Sequence, residues 1–233
     1  MPIKLVVFDM AGTTIKDENY VHLTLQNALK KAEIDSSLEE INLVMGYPKP
    51  VAISMILENH QNNGVLIDAE KHSIDSIHRL FEDEMVDFYQ SSPLLQEAPK
   101  AGEVFQLLQE KGIKVILDTG FSREIADVII DRLNWRDKIF ASVTSDEVAK
   151  GRPHPDMIFK AMELAGLDDA QEVAKVGDTA SDLQEGTSAG CKYVIGVTSG
   201  AFPKEDLEKE PHTHLISALS EILNILELES VQA

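Results

Sequence analysis

Residues 8–15 of this 233-residue chain read Phe8-Asp9-Met10-Ala11-Gly12-Thr13-Thr14-Ile15, and they decide the fold. The apolar residues that precede Asp9 predict a buried parallel strand. Asp9 then lies at the carboxyl end of that strand, where open α/β sheets bind ligands. An aspartate that ends a strand and precedes a glycine-threonine loop is typical of a phosphoryl-accepting nucleophile.

The segment that follows Thr14 predicts helices only. Apolar residues recur at helical spacing, and a polar, loop-like stretch at 59–64 and prolines near residue 93 interrupt and close the pattern. The four predicted helical stretches are 21–32, 41–45, 51–57 and 74–88. We therefore expect an inserted all-helical cap domain over residues 15–95.

From residue 100 onward, short apolar strands alternate with helices. The predicted strands are 115–118, 141–144, 173–176 and 193–197, and the predicted helices lie near 101–111, 122–133, 155–165 and 180–188. This alternation predicts an α/β fold with a Rossmann-like, doubly wound parallel sheet, formed by residues 1–14 and 96–233. We expect a solvated helix or loop at 204–210 and a closing amphipathic helix at 216–228.

The net charge and the cysteine content limit the classes of binding partner and the cellular setting that we expect. The chain has 40 acidic and 21 basic residues and a formal charge of −19, which disfavours nucleic acid and anionic membrane surfaces as partners. An acidic protein that binds a phosphate needs a local positive centre, such as a divalent cation with basic side chains. The single cysteine, Cys191, favours a packing role, and the absence of a leader or spanning segment predicts a cytoplasmic protein.

Three further groups of polar residues follow predicted strands. They are Asp118-Thr119-Gly120, the stretch from Lys150 to Pro155 that contains Arg152, and Gly177-Asp178-Thr179-Ala180-Ser181-Asp182. Each has an ordinary explanation when taken alone: a turn, a surface charge or a helix cap. Together with Asp9, and in this order, they predict one site at the carboxyl edge of the sheet.

The four groups resemble the four motifs of the haloacid dehalogenase superfamily across nearly the whole chain. The resemblance implies that Asp9 attacks phosphorus, that Thr119 binds the phosphoryl group and that Arg152 neutralises charge. It also implies a Mg²⁺ ion held by Asp9, the carbonyl of Ala11 and Asp178, with Asp182 as a supporting residue or an additional ligand. Substrate-binding residues are expected at Thr13, Met45, Thr119 and Gly120.

Ala11 departs from the usual motif of that superfamily, which has a second aspartate there. That aspartate protonates the leaving group, so a poor alkoxide leaving group is disfavoured here unless another acid reaches the site. The phosphonoacetaldehyde hydrolase, or phosphonatase, branch also carries alanine at this position, a Met-Gly-x-x-Lys motif and an arginine at the third motif. The chain resembles it through Ala11, Met45-Gly46-Tyr47-Pro48-Lys49 and Arg152. This resemblance implies that Lys49 forms a Schiff base with the substrate aldehyde.

The chain lacks two features of that branch: the histidine expected near Lys49 is Ala52, and the cysteine expected after the first motif is Asn19. Three hypotheses follow. The first is a Mg²⁺-dependent hydrolase of phosphonoacetaldehyde or a similar 2-oxoalkylphosphonate. The second is a phosphatase of small phosphate monoesters, and the third is a catalytically idle interaction protein. The resemblance also implies a possible homodimer through the cap.

Overall fold

A computed structural model describes residues 1–68 and 72–228, and its centre is a six-stranded parallel sheet. The strands lie in the order β3-β2-β1-β4-β5-β6. Their bounds are β1 Leu5–Asp9, β2 Lys114–Thr119, β3 Ala141–Thr144, β4 Val173–Gly177, β5 Tyr193–Val197 and β6 His214–Ile216. The order reverses between β1 and β4, which is the type of position where open α/β sheets bind ligands.

Both faces of the sheet are covered. Val6 and Phe8 of β1 belong to one buried apolar cluster, whereas Leu5 and Val7 belong to a second cluster on the opposite face, because successive strand residues point to opposite sides. The helices that follow the cap are α5 Ala101–Glu110, α6 Arg123–Arg132, α7 Asp156–Ala165, α8 Ala180–Ala189, α9 Lys204–Leu207 and α10 Ile222–Ile225. This is the α/β, Rossmann-like, doubly wound architecture that the sequence predicts.

Between β1 and α5, all the regular elements of the described residues are helices: α1 Tyr20–Lys31, α2 Leu38–Asn42, α3 Lys49–Asn62 and α4 Ile74–Ser91. Two connecting segments, 10–19 and 92–100, join these helices to the core. They pair with each other, since Ile15 bridges Glu97 and the Ala98 amide donates to the Thr14 carbonyl at 2.8 Å. Domain boundaries at 14/15 and 95/96 remain a prediction that agrees with this pairing.

Two predicted elements differ from the structure. The loop expected at 59–64 is wrong at its start, because α3 continues to Asn62. Its polar residues find partners on α2, where Glu40 accepts hydrogen bonds from Asn59 at 2.8 Å and from His60 at 3.1 Å. Residues 216–228 do not form one helix, because Ile216 ends β6 opposite Val197 of β5, and α10 is only four residues long.

The charge run at 204–210 begins with α9, as expected. Within the described ranges, 1–68 and 72–228, no helix has the length and apolar character needed to cross a bilayer.

Candidate active site

The carboxyl edge of the sheet brings the four sequence motifs together. Asp9 and Asp118 are direct partners in the β1–β2 register. A cavity opens at this edge. Its lining includes Asp9, Ala11, Asp17, Met45, Lys49, Thr119, Gly120 and Arg152. Core and cap therefore both contribute to one concave site.

Arg152 lies at the centre of the buried charges. Its Nη1 donates to Asp9 Oδ1 at 2.7 Å, and its Nη2 donates to Asp118 Oδ1 at 2.7 Å. Nε donates to Glu185 Oε2 at 3.1 Å. The guanidinium has a fixed planar fork and stays protonated, so these contacts fix its orientation beside the predicted nucleophile.

Lys175 is a second buried cation beneath the site, and sequence analysis did not select it. Its Nζ lies 2.5 and 2.6 Å from the two Asp118 oxygens and 3.0 Å from Glu185 Oε2. Burial alone would raise the pKa of Asp118, but the charges of Arg152 and Lys175 lower it to about 2. Asp118 is thus a firmly ionised anchor for both cations.

Two hydrogen bonds and a close approach to Gly12 fix the Asp178 side chain in the core. Its Oδ1 accepts from Thr13 Oγ1 at 2.8 Å, and its Oδ2 accepts from the Ala201 amide at 2.6 Å. A Cβ on Gly12, whose φ is +86°, would lie 2.2 Å from Asp178 Oδ2, so only glycine permits this close approach. Thr13, which we expected to bind substrate, lies outside the lining of the cavity and contacts Asp178 instead.

Asp182 has both a capping contact and a charge contact. Its Oδ2 accepts from the Thr179 amide at 3.1 Å in the capping box that begins α8. Its Oδ1 lies 3.1 Å from both Arg152 Nη1 and Lys175 Nζ, although neither approach has the direction of a hydrogen bond. Because charge attraction depends weakly on angle, both cations still stabilise the Asp182 carboxylate.

The residues fit a hard divalent cation. Among the described residues, the core side of the site has five buried carboxylates and two buried cations: Asp9, Asp118, Asp178, Asp182 and Glu185, with Arg152 and Lys175. Burial raises the pKa of Asp9 to about 7, and burial with the charges of Asp9 and Asp182 raises the pKa of Asp178 well above its ordinary value. Burial is the largest cause of both shifts, and neighbouring carboxylates add to them. The excess of negative charge follows from five carboxylates beside two cations. Oxygen-only donors with such an excess suit Mg²⁺.

Among the described residues, Asp9, Asp118 and Asp182 form a group whose possible ligand atoms lie within 4.8 Å of one another. This set differs from the predicted ligands, because it includes Asp118 and leaves out Asp178. Both Asp118 oxygens already bind Lys175. We therefore retain Asp9, the Ala11 carbonyl and Asp178 as the predicted ligands, with Asp182 beside them.

Lys49 is the first residue of α3 and is only 4% exposed. Among the described residues its amine has no hydrogen bond or ion pair, and it lies 5.6 Å from the centre of the Phe81 ring. Burial lowers the pKa of Lys49 to about 8, although the charges of Asp17 and Asp9 oppose that shift. The result is an amine that lines the cavity and loses its proton near pH 8, well below the usual pH for lysine.

Glycines let the segment that leads to Lys49 rest on the core. A Cβ on Gly46 would lie 2.2 Å from Ser181 Oγ, and a Cβ on Gly151 would lie 2.3 Å from Pro48 Cγ. A Cβ on Gly120 would lie 3.3 Å from the Tyr47 carbonyl oxygen. The 45–49 segment is thereby fixed over the edge of the sheet that carries Asp9.

Comparisons with known proteins agree with this architecture. Residues 3–190 match the family described as haloacid dehalogenase-like hydrolase. The chain belongs to that family. It is also 31% identical over 211 residues to a phosphonoacetaldehyde hydrolase of Bacillus mycoides (strain KBAB4), covering 86% of this chain and 78% of the relative. It is a hydrolase of the haloacid dehalogenase type with a phosphonatase-like sequence, so the hypothesis of an idle interaction protein is set aside.

Two other relatives define the extent of the similarity. The chain is 31% identical over 229 residues to the bifunctional phosphonoacetaldehyde hydrolase/aminoethylphosphonate transaminase of Clostridioides difficile (strain 630), covering 94% of this chain but only 36% of that protein. A solved phosphonoacetaldehyde hydrolase-like protein from Oleispira antarctica superposes with a TM-score of 0.81 at 23% identity, covering 97% of this chain and 92% of the other. The second comparison shows a shared fold.

Sequence reasoning missed three charged residues of the site. Lys175 interrupts an otherwise apolar strand, which is a signal for a buried partner charge. Glu185 lies three residues after Asp182 on α8 and therefore shares its face. Asp17 lies three residues before the first residue of α1, which is a capping signal.

Cys191 is buried, and burial raises the pKa of its thiol to about 12, in agreement with a packing role.

Proposed function

We propose that this protein is a Mg²⁺-dependent hydrolase that cleaves the carbon–phosphorus bond of phosphonoacetaldehyde or a similar 2-oxoalkylphosphonate. The observation that carries the proposal is a buried amine and a buried carboxylate, Lys49 and Asp9, on the lining of one cavity. One small molecule that has an aldehyde at one end and a phosphonate at the other can reach both groups.

Lys49 supplies the chemistry at the aldehyde. Its lowered pKa, about 8, leaves a fraction of free amine at neutral pH. The amine attacks the carbonyl carbon, water leaves, and the resulting iminium ion accepts the electron pair of the breaking carbon–phosphorus bond. Carbon then leaves as an enamine, which needs no protonation of an oxygen. Ala11 is compatible with such a leaving group.

Asp9 takes the phosphoryl group. Arg152 Nη1 holds Asp9 Oδ1 at 2.7 Å, which presents the other carboxylate oxygen to the substrate and neutralises charge as the bond forms. The Thr119 hydroxyl and the Gly120 backbone line the cavity where phosphonate oxygens would bind. Water then hydrolyses the aspartyl phosphate and releases inorganic phosphate.

Mg²⁺ bound at Asp9, the Ala11 carbonyl and Asp178 would neutralise charge on the transferring phosphoryl group. Thr13 and the Ala201 amide fix the orientation of Asp178 for that purpose. Asp182 fixes the start of α8 and faces Arg152.

Phosphate release from phosphonoacetaldehyde with Mg²⁺ tests the proposal. We expect Asp9→Asn and Lys49→Ala each to lower kcat/KM by more than about 10³-fold, as removal of a reacting group does in other hydrolases. Lys30→Ala is the matched control, because Lys30 is an exposed lysine of the same cap. Full turnover by Lys49→Ala would refute the lysine mechanism.

A phosphatase of small phosphate monoesters is the second candidate, because a second carboxylate, Asp17, lines the cavity and could act as the acid that Ala11 lacks. The dependence on the leaving group separates the two functions. If alkyl phosphates are hydrolysed faster than phosphonoacetaldehyde, the result favours the phosphatase. Slow hydrolysis restricted to activated aryl phosphates would favour the phosphonate reaction.

A homodimer through the cap and a cytoplasmic setting remain predictions. Light scattering on the purified protein tests the first, and mass spectrometry of cell fractions tests the second.

A further inference from the structure

The chemistry at Lys49 requires a group that gives and takes protons. The carbonyl oxygen must leave as water, and the enamine must gain a proton on carbon. The two residues that differ from the phosphonatase pattern supply no such group, because Ala52 is a buried methyl side chain and Asn19 is exposed outside the cavity lining. Among the described residues, the carboxylates that line the cavity are Asp9 and Asp17.

We propose that Asp17 is the acid–base residue that serves Lys49, donating protons to the departing hydroxyl and to the enamine carbon. Asp9 is engaged in phosphoryl transfer and bound to Arg152 at 2.7 Å. Asp17 is the remaining carboxylate of the lining and belongs to the segment that joins β1 to α1. This inference rests on the proposed function, and it assigns a role to a residue outside the four motifs.

The local geometry holds Asp17 with one oxygen available. Its Oδ1 accepts from the Tyr20 amide at 2.7 Å and lies 3.5 Å from the Val21 amide. No hydrogen bond to Oδ2 occurs among the described residues. Val21 also lines the cavity, so the first turn of α1 faces the site and brings the capping carboxylate with it.

Asp17 and Lys49 interact electrostatically. Of the charges that act on Lys49, Asp17 has the largest effect, ahead of Asp9 and Arg152. Burial raises the pKa of Asp17, and burial lowers the pKa of Lys49. Both shifts favour the neutral forms, a carboxylic acid and an amine, that begin the reaction. His78 of α4 is a further titratable group in the electrostatic surroundings of Lys49.

A second cavity gives Asp17 a route to solvent. It has an empty volume of about 810 Å³ and lies between the connecting segments and the core, with Gly12, Lys16, Pro99 and Ser217 in its lining. Asp17 lines both this cavity and the active-site cavity. A side chain shared by the two can exchange protons with water while a substrate fills the site.

The proton balance then closes. The Lys49 amine condenses with the aldehyde while Asp17 donates a proton. The products are an iminium ion, the Asp17 carboxylate and one water molecule. Carbon–phosphorus cleavage sends the bonding pair to carbon and forms the enamine. Asp17, reprotonated from solvent, gives its proton to the enamine carbon. When water adds to the new iminium ion, Asp17 takes a proton from it, and acetaldehyde and the amine are released. Hydrolysis of the aspartyl phosphate returns the proton taken from solvent.

The test is Asp17→Asn, which retains an oxygen that can accept from the Tyr20 amide. The matched control is Asp169→Asn, because Asp169 also accepts from a backbone amide, Gln171 N at 2.8 Å, but it precedes β4 at the opposite end of the sheet. We expect Asp17→Asn to slow borohydride-trapped adduct formation at Lys49 by about 10²- to 10⁴-fold, the usual contribution of an acid–base group. Asp17→Glu should recover part of that rate, and Asp169→Asn should match the parent.

A purely structural role would give a different pattern. Hydrolysis of an activated aryl phosphate uses Asp9 without the imine, and its leaving group needs no acid, so Asp17→Asn should lower this rate far less than it lowers adduct formation. Equal losses on both substrates, or an unchanged trapping rate in Asp17→Asn, would overturn the inference while the lysine mechanism stands. The absence of any adduct in the parent protein would instead refute the proposed function and this inference with it.

Discussion

Two buried lysines, one under the sheet edge and one in the cap, have opposite surroundings. Lys175 of the core is fully buried and contacts Asp118, Asp182 and Glu185. Burial and the charge of Arg152 lower its pKa, but those carboxylates outweigh them and raise it above the ordinary value. Lys49 of the cap has no such partner among the described residues, and burial lowers its pKa to about 8. A buried lysine that contacts carboxylates keeps its charge, whereas a buried lysine without such contacts has a lowered pKa and can act as a free amine.

Replacement of Lys175 should have the largest effect on stability. We expect Lys175→Met to lower the free energy of unfolding by about 3–5 kcal/mol, because it leaves buried carboxylates without their cation. Urea denaturation measures the change, with Lys30→Met as the exposed control. A loss below 1 kcal/mol would show that Arg152 and bound cations alone neutralise Asp118 and Glu185.

The same replacement at Lys49 should stabilise the protein. Because the pKa of Lys49 is lower in the folded state, about 8, than in the unfolded chain, about 10.5, the unfolded state binds more protons between these values. The penalty for the charged lysine is therefore complete below pH 8 and disappears as pH rises towards 10.5. We expect Lys49→Met to raise the free energy of unfolding at pH 7 by up to about 3 kcal/mol, while turnover is lost. Reduced stability in this variant would contradict the assigned surroundings.

The position of Lys49 depends on Gly46. We expect Gly46→Ala to lower kcat/KM for the phosphonate by about 10- to 100-fold, because the new methyl group would push the 45–49 segment away from Ser181 and displace the amine. Gly64→Ala is the control, since Gly64 also has a positive φ, +88°, but has no atom within 4 Å of the added Cβ. Equal activities in the two variants would show that the contact with Ser181 does not position Lys49.

The smallest expected effect is on pH dependence. In Asp17→Asn, which has no acid that titrates against the amine, kcat/KM for phosphonoacetaldehyde should fall at least about tenfold for each pH unit below about 8, because Lys49 gains a proton. Aryl phosphate hydrolysis, which bypasses the imine, serves as the control and should fall only below about pH 7, where Asp9 gains a proton. A phosphonate rate of Asp17→Asn that stays constant between pH 6 and pH 9 would contradict a titrating Lys49.

The sequence predicted the core more completely than the cap. Asp9 and Asp118 meet because parallel strands end at one edge, a consequence of alternation alone. The chemistry of Lys49 could be proposed only from a resemblance, since its burial depends on Phe81 and on the approach of Gly46 to Ser181. Phe81 and Ser181 are both distant from Lys49 in the chain. The pairing of Lys175 with Glu185 also depends on the packing of α8 against β4, which no local pattern specifies.

Borohydride trapping tests the central claim most directly. The protein is mixed with phosphonoacetaldehyde and Mg²⁺, reduced, digested and analysed by peptide mass spectrometry, with Lys49→Arg as the control. Our account predicts a reduced two-carbon adduct on the peptide that contains Lys49 and none in the control. Turnover of phosphonoacetaldehyde by the parent protein without any adduct at Lys49 would contradict it.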